Sequence, residues 1–397
     1  MFDRLSLLSA DPILGLIGQY TADSNPNKID LGVGVYRDAQ GHTPILATVK
    51  KAESILWEAE QTKSYIGPAG NQQFNRLALE LILGDEHTAL ADNRAIAMQT
   101  PGGCGALRVA AELIVAANPK AKIWVSDPTW GNHVPLLGDS GMEIATYPYY
   151  DYESHGIRFA DMLTTLRESA VAGDLVLVHA CCHNPSGADL SLAQWLQLTN
   201  LCAEKGLIPF VDMAYQGFGD GLDQDAAGLR MMADQLPEVI FAYSCSKNFG
   251  LYRERIGAVG VVAANTERAT AVASQIMRIV RGIYSMPPSH GAAIVETILA
   301  DPVLCQAWVD ELALMRNRIQ TMRHALLDAM TAQGYGDRFH FITGEKGMFS
   351  FLGLTPEQVQ RLIKEHSVYM VDSSRINVAG LTPTNIDPLV KALTAVL

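Results

Sequence analysis

Ala95-Ile-Ala-Met-Gln99-Thr-Pro-Gly-Gly-Cys104-Gly-Ala-Leu-Arg108-Val-Ala-Ala111 joins a short β-rich run to a glycine turn, and the turn to an apolar helical pattern expected to begin near Ala106. β-rich runs return at Ile123–Ser126, Leu175–His179, Leu207–Asp212, Ile240–Ser244 and Ala258–Ala263, with helical patterns between them. That alternation predicts parallel α/β units. Four of the runs pass directly into polar or glycine-rich turns: Thr100-Pro-Gly-Gly-Cys-Gly, Asp127-Pro-Thr-Trp-Gly-Asn-His, Cys182-His-Asn-Pro-Ser-Gly and Ser244-Cys-Ser-Lys-Asn. In an open α/β sheet the ligand crevice lies beyond the carboxyl ends of the strands. Four unusual turns after four strands therefore predict one shared site.

The 397 residues leave room for a second, smaller domain, since one domain takes ~150. The pattern does change toward the C-terminus. A long helical stretch from Trp308 to Ala332 leads to strand-like His340–Thr343 and Met348–Leu352. A capped helix at Thr355-Pro-Glu-Gln, strand-like Val368–Val371 and Ile376–Ala379, and a closing helix follow. This mixture predicts an α+β domain completed by part of the N-terminus.

Composition excludes several classes. With 48% apolar and 18% charged residues the chain cannot be disordered. Its 30 basic and 42 acidic residues give −12, which excludes a broad electrostatic footprint for nucleic acid or an anionic membrane. A few arginines can still hold a small anion. The opening Met1-Phe-Asp-Arg-Leu-Ser lacks the basic-then-apolar pattern of a signal peptide. No run reaches the ~18 apolar residues of a membrane span. Six cysteines (Cys104, Cys181, Cys182, Cys202, Cys245, Cys305) show no C-x-x-C spacing, and free thiols in a reducing cytoplasm are expected. The histidines show no ligand spacing, so no metal is expected.

Three features carry chemistry. The glycines of Thr100–Gly105 let backbone N–H groups converge on an anion at a helix N-terminus, or they simply make a tight turn. A dinucleotide fingerprint would need a third glycine where Arg108 stands. Lys247, just past an apolar strand, lies where a crevice is expected. An amine removed from water loses proton affinity and can attack a carbonyl, although many lysines only snorkel. Asp212 ends the run Ile208-Pro-Phe-Val-Asp; buried there it needs a cationic or N–H partner, or it caps the next segment. Pyridoxal phosphate needs a lysine for its aldehyde, an acid for its ring nitrogen and a cradle for its phosphate. These three features together fit that cofactor.

The chain also resembles the aspartate and aromatic amino-acid aminotransferases, pyridoxal-phosphate enzymes of fold type I, over essentially its whole length. The motifs are Asp11-Pro-Ile-Leu-Gly-Leu, Leu31-Gly-Val-Gly34-Val-Tyr, Tyr65-Ile-Gly, Asp127-Pro-Thr-Trp130-Gly-Asn-His133 and Cys181-Cys-His-Asn184-Pro-Ser-Gly. Asp212-Met-Ala-Tyr215-Gln-Gly-Phe, Ser246-Lys247-Asn-Phe-Gly-Leu-Tyr-Arg-Glu-Arg255, Arg281-Gly-Ile-Tyr-Ser-Met-Pro-Pro, Gly347-Met-Phe-Ser and Ser374-Arg375-Ile-Asn-Val-Ala-Gly complete the set. The resemblance implies a large domain over 44–311 with a mostly parallel seven-stranded sheet. It also implies a smaller α+β domain over 11–43 and 312–397, and an N-terminal arm over 1–10.

The site roles are likewise what the resemblance implies. Lys247 forms the imine with the cofactor and shuttles the proton. Asp212 pairs with the pyridinium nitrogen, with His133 and His179 behind it. Tyr215 and Asn184 hold the phenolic oxygen, and Trp130 stacks on the ring. Gly103, Cys104, Ser244, Ser246 and Arg255 bind the phosphate, joined by Tyr65 from a second subunit of a site-sharing homodimer. Arg375 forks onto the substrate α-carboxylate, helped by Asn184 and the backbone at Gly34. Arg281, from the partner, meets an acidic side chain or moves aside for an aromatic one. The implied activity is amino transfer between Phe, Tyr, Trp or aspartate and 2-oxoglutarate. A strict aspartate aminotransferase, or a β-lyase or decarboxylase on the same fold, are the alternatives. Three departures stand out: Cys104 where Thr or Ser is usual, Cys245 where an aromatic is common, and Met286 where Asn or Ser is common. Met286 leans the pocket toward aromatic donors.

Overall fold

The structure, a computed structural model, describes residues 2–7 and 12–397. Residues 1 and 8–10 of the expected arm, and Asp11, lie outside the described residues. The chain forms two compact units, one of Pro44–Asn184 with Ala188–Asn317, the other of the N-terminal stretch to Thr43 with Pro185–Gly187 and Arg318–Leu397.

The first unit is built on a seven-stranded sheet. Its strands are β1 (Ala95–Pro101), β2 (Lys122–Asp127), β3 (Glu143–Pro148), β4 (Leu175–His179), β5 (Ile208–Met213), β6 (Val239–Ser244) and β7 (Ile256–Val262). They lie side by side in the order β1-β7-β6-β5-β4-β2-β3. Only β7 runs antiparallel to its neighbours; the other pairs are parallel. The carboxyl ends of the remaining strands thus gather at one edge. Every residue of β4, β6 and β7 is buried, because helices cover both faces and leave no solvated side to alternate with. The helix Gly102–Ala117 supplies Ala106, Leu107, Val109, Ala110, Leu113 and Ile114 to a core shared with Ile123, Leu177, Phe210 and Val259.

Two local expectations fail in this unit. The helix after β1 begins at Gly102, not near Ala106. Glycine's poor helix propensity argues for the later start, but close packing against the neighbouring strand ends favours residues without a Cβ here. β3 was not among the expected strands. It is an edge strand with only Tyr147 buried, so its sequence carries no apolar run.

The second unit holds two small ladders. Ile29–Asp30 pairs in parallel with Val368–Tyr369, and Phe349–Phe351 pairs antiparallel with Arg375–Asn377. The capping box at Thr355 and Gln358 starts the helix Pro356–His366 as expected. His340–Thr343 does not form a strand. It is a 3₁₀ turn in which Phe341 and Ile342 are buried, so the apolar pattern reflects packing of a turn rather than a pleated face. The last expected strand is also short: Arg375–Asn377 gives way to another 3₁₀ turn at Val378–Gly380.

Candidate active site

Strand register sets the site. His179 at the end of β4 sits beside Asp212 on β5. Ser244 at the end of β6 and Thr100 on β1 flank the same residue, Gly257. A Cβ at Gly257 would lie 2.3 Å from the Tyr243 carbonyl oxygen and 2.6 Å from the carbonyl carbon of Gly102. Glycine at 257 thus draws the turn after β1 against the turn after β6, where Lys247 stands.

Asp212 is buried, and His133 Nε2 donates to its Oδ2 at 2.9 Å. In the neutral imidazole that leaves Nδ1 to accept from the Thr129 hydroxyl at 2.7 Å. Burial alone would raise the Asp212 pKa. The hydrogen bond from His133, with the charge of Lys247 beyond it, outweighs it, so the carboxyl is held below its ordinary range. His179 packs 5.2 Å from the His133 ring, and neither of its nitrogens finds a hydrogen-bond partner among the described residues. Burial, with His133 nearby, pushes its pKa down to about 3. His179 therefore stays neutral and walls off Asp212. His183 extends the array, edge-on to His179 at 4.3 Å and stacked on Tyr149 at 4.2 Å.

Lys247 is half-buried, its Nζ 4.9 Å from the centre of the Tyr215 ring. Burial lowers its pKa, the Asp212 charge opposes that, and Arg255 reinforces it. The result is an amine more easily freed of its proton than an ordinary lysine. Trp130 meets His133 edge-on at 5.3 Å, while Asn184 and Tyr215 are buried nearby in sequence to β4 and β5.

The anion cradle lies at the other end of the same edge. Arg255 donates to the Ser246 hydroxyl at 3.3 Å and to the Tyr252 carbonyl at 3.0 Å. Ser246 N–H bonds the Ser244 hydroxyl at 3.3 Å. A Cβ on Gly102 would come within 2.5 Å of the Arg255 guanidinium, and one on Gly103 within 3.1 Å of Ser244 Cβ. Open backbone N–H groups at the start of a 16-residue helix, two hydroxyls and a guanidinium form a set suited to a phosphate dianion. The group fits the residues present.

Of the residues expected to act together, Gly103, Cys104, Trp130, His133, His179, Asn184, Asp212, Tyr215, Ser244, Ser246, Lys247 and Arg255 all belong to the first unit. Tyr65 and Arg281 belong to it too, but both are exposed, Tyr65 at 91%, and Arg281 donates to the Ser285 hydroxyl at the end of its helix. Gly34 and Arg375 belong to the second unit. There Arg375 is buried, donates to the Gly32 carbonyl at 2.9 Å and lies over the Phe349 ring at 4.5 Å. Phe349 also lines Gly34, where a Cβ would come within 2.8 Å of the ring.

Thr129, His183 and Gly102 were not foreseen. Thr129 had a usable signal, a hydroxyl four residues before His133 in a turn, whereas His183 owes its place to tertiary stacking. Cys245 is buried, and desolvation pushes its thiol well up, which makes it core rather than site. Cys104 is half-buried, and all six cysteines are free.

Comparison with known proteins shows the family and the fold. The family model for class I and II aminotransferases matches residues 26–393. The aspartate aminotransferase of Escherichia coli K12 is 48% identical over 397 residues, covering 100% of both chains. The aromatic-amino-acid aminotransferase of Pseudomonas aeruginosa is 46% identical, covering 100% of this chain and 98% of its own. Among solved structures, the aromatic-amino-acid aminotransferase of Burkholderia pseudomallei, covalently bound to pyridoxal phosphate, superposes with a TM-score of 0.98 at 42% identity, covering 100% of this chain and 99% of that one. With likeness of this extent in both sequence and fold, the chain belongs to the class I and II aminotransferases.

Proposed function

We propose that the chain moves an amino group between an aromatic amino acid (Phe, Tyr or Trp) or aspartate and 2-oxoglutarate, by a ping-pong mechanism dependent on pyridoxal phosphate. One observation carries this proposal. A single sheet edge presents an amine of lowered proton affinity, a buried ionised carboxylate and an anion cradle. When bound, the cofactor supplies an aldehyde to receive the amino group and a protonated ring that withdraws electrons from the substrate Cα.

The chain's own groups do the rest. Asp212, kept ionised by His133, holds the proton on the ring nitrogen. Gly103, Cys104, Ser244, Ser246 and Arg255 anchor the phosphate; Tyr215 and Asn184 hold the phenolic oxygen, and Trp130 covers the ring. Lys247 takes the proton from the substrate Cα at Nζ and returns it. Arg375 receives the α-carboxylate, its fork aimed by Gly32 and Phe349, with Asn184 and the backbone at Gly34 assisting. Tyr65 and Arg281 serve the site of a second copy in a homodimer, consistent with their exposure in the single chain. Residues 44–311 make the cofactor-binding domain in this scheme, and 11–43 with 312–397 the smaller one. No single helix among the described residues is long and apolar enough to cross a membrane, and we place the enzyme in the cytoplasm.

Incubation with Phe or with Asp, plus 2-oxoglutarate, is expected to yield glutamate and the matching 2-oxo acid. Absence of glutamate with both donors would refute the proposal, and ammonia or CO₂ release without an acceptor would favour the lyase or decarboxylase. Relatives named for aspartate and for aromatic amino acids match almost equally, at 48% and 46%. The donor preference is therefore read from kcat/KM for Asp, Phe, Tyr and Trp with one shared acceptor. A strict aspartate aminotransferase would turn over Asp alone.

The cradle makes its own prediction. Gly102 has φ +69 and no room for a Cβ beside Arg255. Gly102→Ala is expected to weaken binding of pyridoxal phosphate to cofactor-free protein about tenfold, the equivalent of ~1.4 kcal/mol from backbone strain and a displaced guanidinium. The fold should survive, because the clash is with the end of a flexible side chain. An unchanged dissociation constant would remove Gly102 from the cradle.

A further inference from the structure

The geometry points to Arg323 as a positioning residue for Arg375, acting through the Phe349 ring; we infer that it sets how well the enzyme grips the α-carboxylate of every substrate. The inference rests on the proposal that Arg375 is the group that receives that carboxylate.

Arg323 lies on the long helix Pro302–Ala332 and is 1% exposed. Its charge is balanced by Glu345, also buried, with Nη1 and Oε2 3.6 Å apart and the Ser350 hydroxyl bonded to both. The other Nη donors are turned on backbone. Nη1 donates to the Ile342 carbonyl at 2.9 Å, and Nη2 to the carbonyls of Gly347 and Phe349, both at 2.8 Å. One guanidinium thus ties down three carbonyls within the segment 342–350.

That segment needs such a tie. It starts within the 3₁₀ turn His340–Thr343, passes a left-handed glycine at 347 with φ +72, and runs into a strand of only three residues, Phe349–Phe351. A ladder this short cannot fix its own position. Yet Phe349 carries the ring on which Arg375 lies, and it pairs in register with Asn377, two residues beyond Arg375. Asn377 in turn donates to the carbonyls of Val33 and Val35, both at 2.7 Å, in the segment that contains Gly34. The carbonyl held by Arg323 and the ring beneath Arg375 belong to the same residue, so a shift at one is a shift at the other.

A buried ion pair is weak evidence for stability, since well-packed apolar pairs often do as well. A planar fork that meets several fixed acceptors gives geometry that a lysine cannot. The expected effect is therefore on substrate grip more than on folding.

The test uses the holoenzyme and three single variants, Arg323→Lys, Phe349→Leu and Arg375→Lys, with the double variant Arg323→Lys/Phe349→Leu. Arg323→Lys and Phe349→Leu are each expected to raise KM about tenfold, by the same factor for Asp and Phe because the α-carboxylate is common to both. Changes in kcat should stay within about threefold, and cofactor absorbance should match wild type. The double variant is expected to equal the singles, since both act through one ring. Phe349→Leu leaves the buried ion pair intact and keeps the test alive if Arg323→Lys folds poorly. Phe349→Leu with wild-type KM, additive KM changes in the double variant, or wild-type KM in a folded Arg323→Lys would each overturn the inference while Arg375→Lys still raises KM. If Arg375→Lys leaves KM unchanged, the assignment of Arg375 fails and the inference fails with it.

Discussion

Lys247→Ala is expected to lower kcat by on the order of 10⁴-fold or more, whichever donor is used, because it removes the group assigned to proton transfer and to attachment of the cofactor. No neighbour can take over. Asp212 is held ionised with its pKa depressed, and its Oδ2 already accepts from His133, so it is too weak a base for a carbon acid. The Tyr215 ring lies 4.9 Å from Nζ, and His179 and His183 are buried histidines whose proton affinity burial has lowered. The same variant has a second expected readout, in the cofactor-free protein. Burial lowers the Lys247 pKa in the folded chain, so around neutral pH the unfolded chain holds its proton more firmly. Lysine at 247 therefore costs stability below its ordinary pKa, and that cost fades as pH rises toward it. Lys247→Ala should raise the Tm of cofactor-free protein near pH 7, with a smaller gain near pH 10. Turnover within 100-fold of wild type, measured with Asp and 2-oxoglutarate, would remove Lys247 from the role.

How much of this was legible in the sequence depends on what holds each group. His179, Asp212 and Lys247 each follow a run of buried β residues. In a sheet covered on both faces such runs are unbroken, so the polar residues that close them (His179, Asp212, and Ser244 three residues before Lys247) mark the carboxyl edge. The edge strand Glu143–Pro148 lacks that signal because most of it faces water. Contacts that depend on distant segments were not legible from local pattern; only the resemblance had placed His133 behind Asp212. The bond from His133 to Asp212 spans 79 positions. Arg323 looks in the sequence like one more polar residue on a helix, and only packing shows that it is buried with its charge matched by Glu345. The start of the helix at Gly102 belongs to the same class: local propensity says one thing, and the close approach of Ser244 and Arg255 requires another.

Asp212→Asn isolates the contribution of charge at the sheet edge. Asparagine keeps the size and can still accept from His133 Nε2, so the site's geometry is retained and only the negative charge is lost. Charge is what Asp212 provides on both of its sides. Toward the cofactor, a neutral amide can accept a hydrogen bond but cannot keep a ring nitrogen protonated. The loss in kcat is expected to be ~10²–10³-fold, the usual scale for removing one preorganised electrostatic group. Toward Lys247, the Asp212 charge is the largest influence that holds the ammonium form against burial. Without it, burial and the Arg255 charge act with less opposition, so the Lys247 pKa must fall further. In cofactor-free protein, the rate at which a neutral acylating reagent modifies Lys247 should reach half its maximum at a lower pH in Asp212→Asn than in wild type. The two readouts separate the roles. A kcat within tenfold of wild type removes Asp212 as the partner of the ring nitrogen. An unshifted or raised midpoint shows that the charge acting on Lys247 is not that of Asp212.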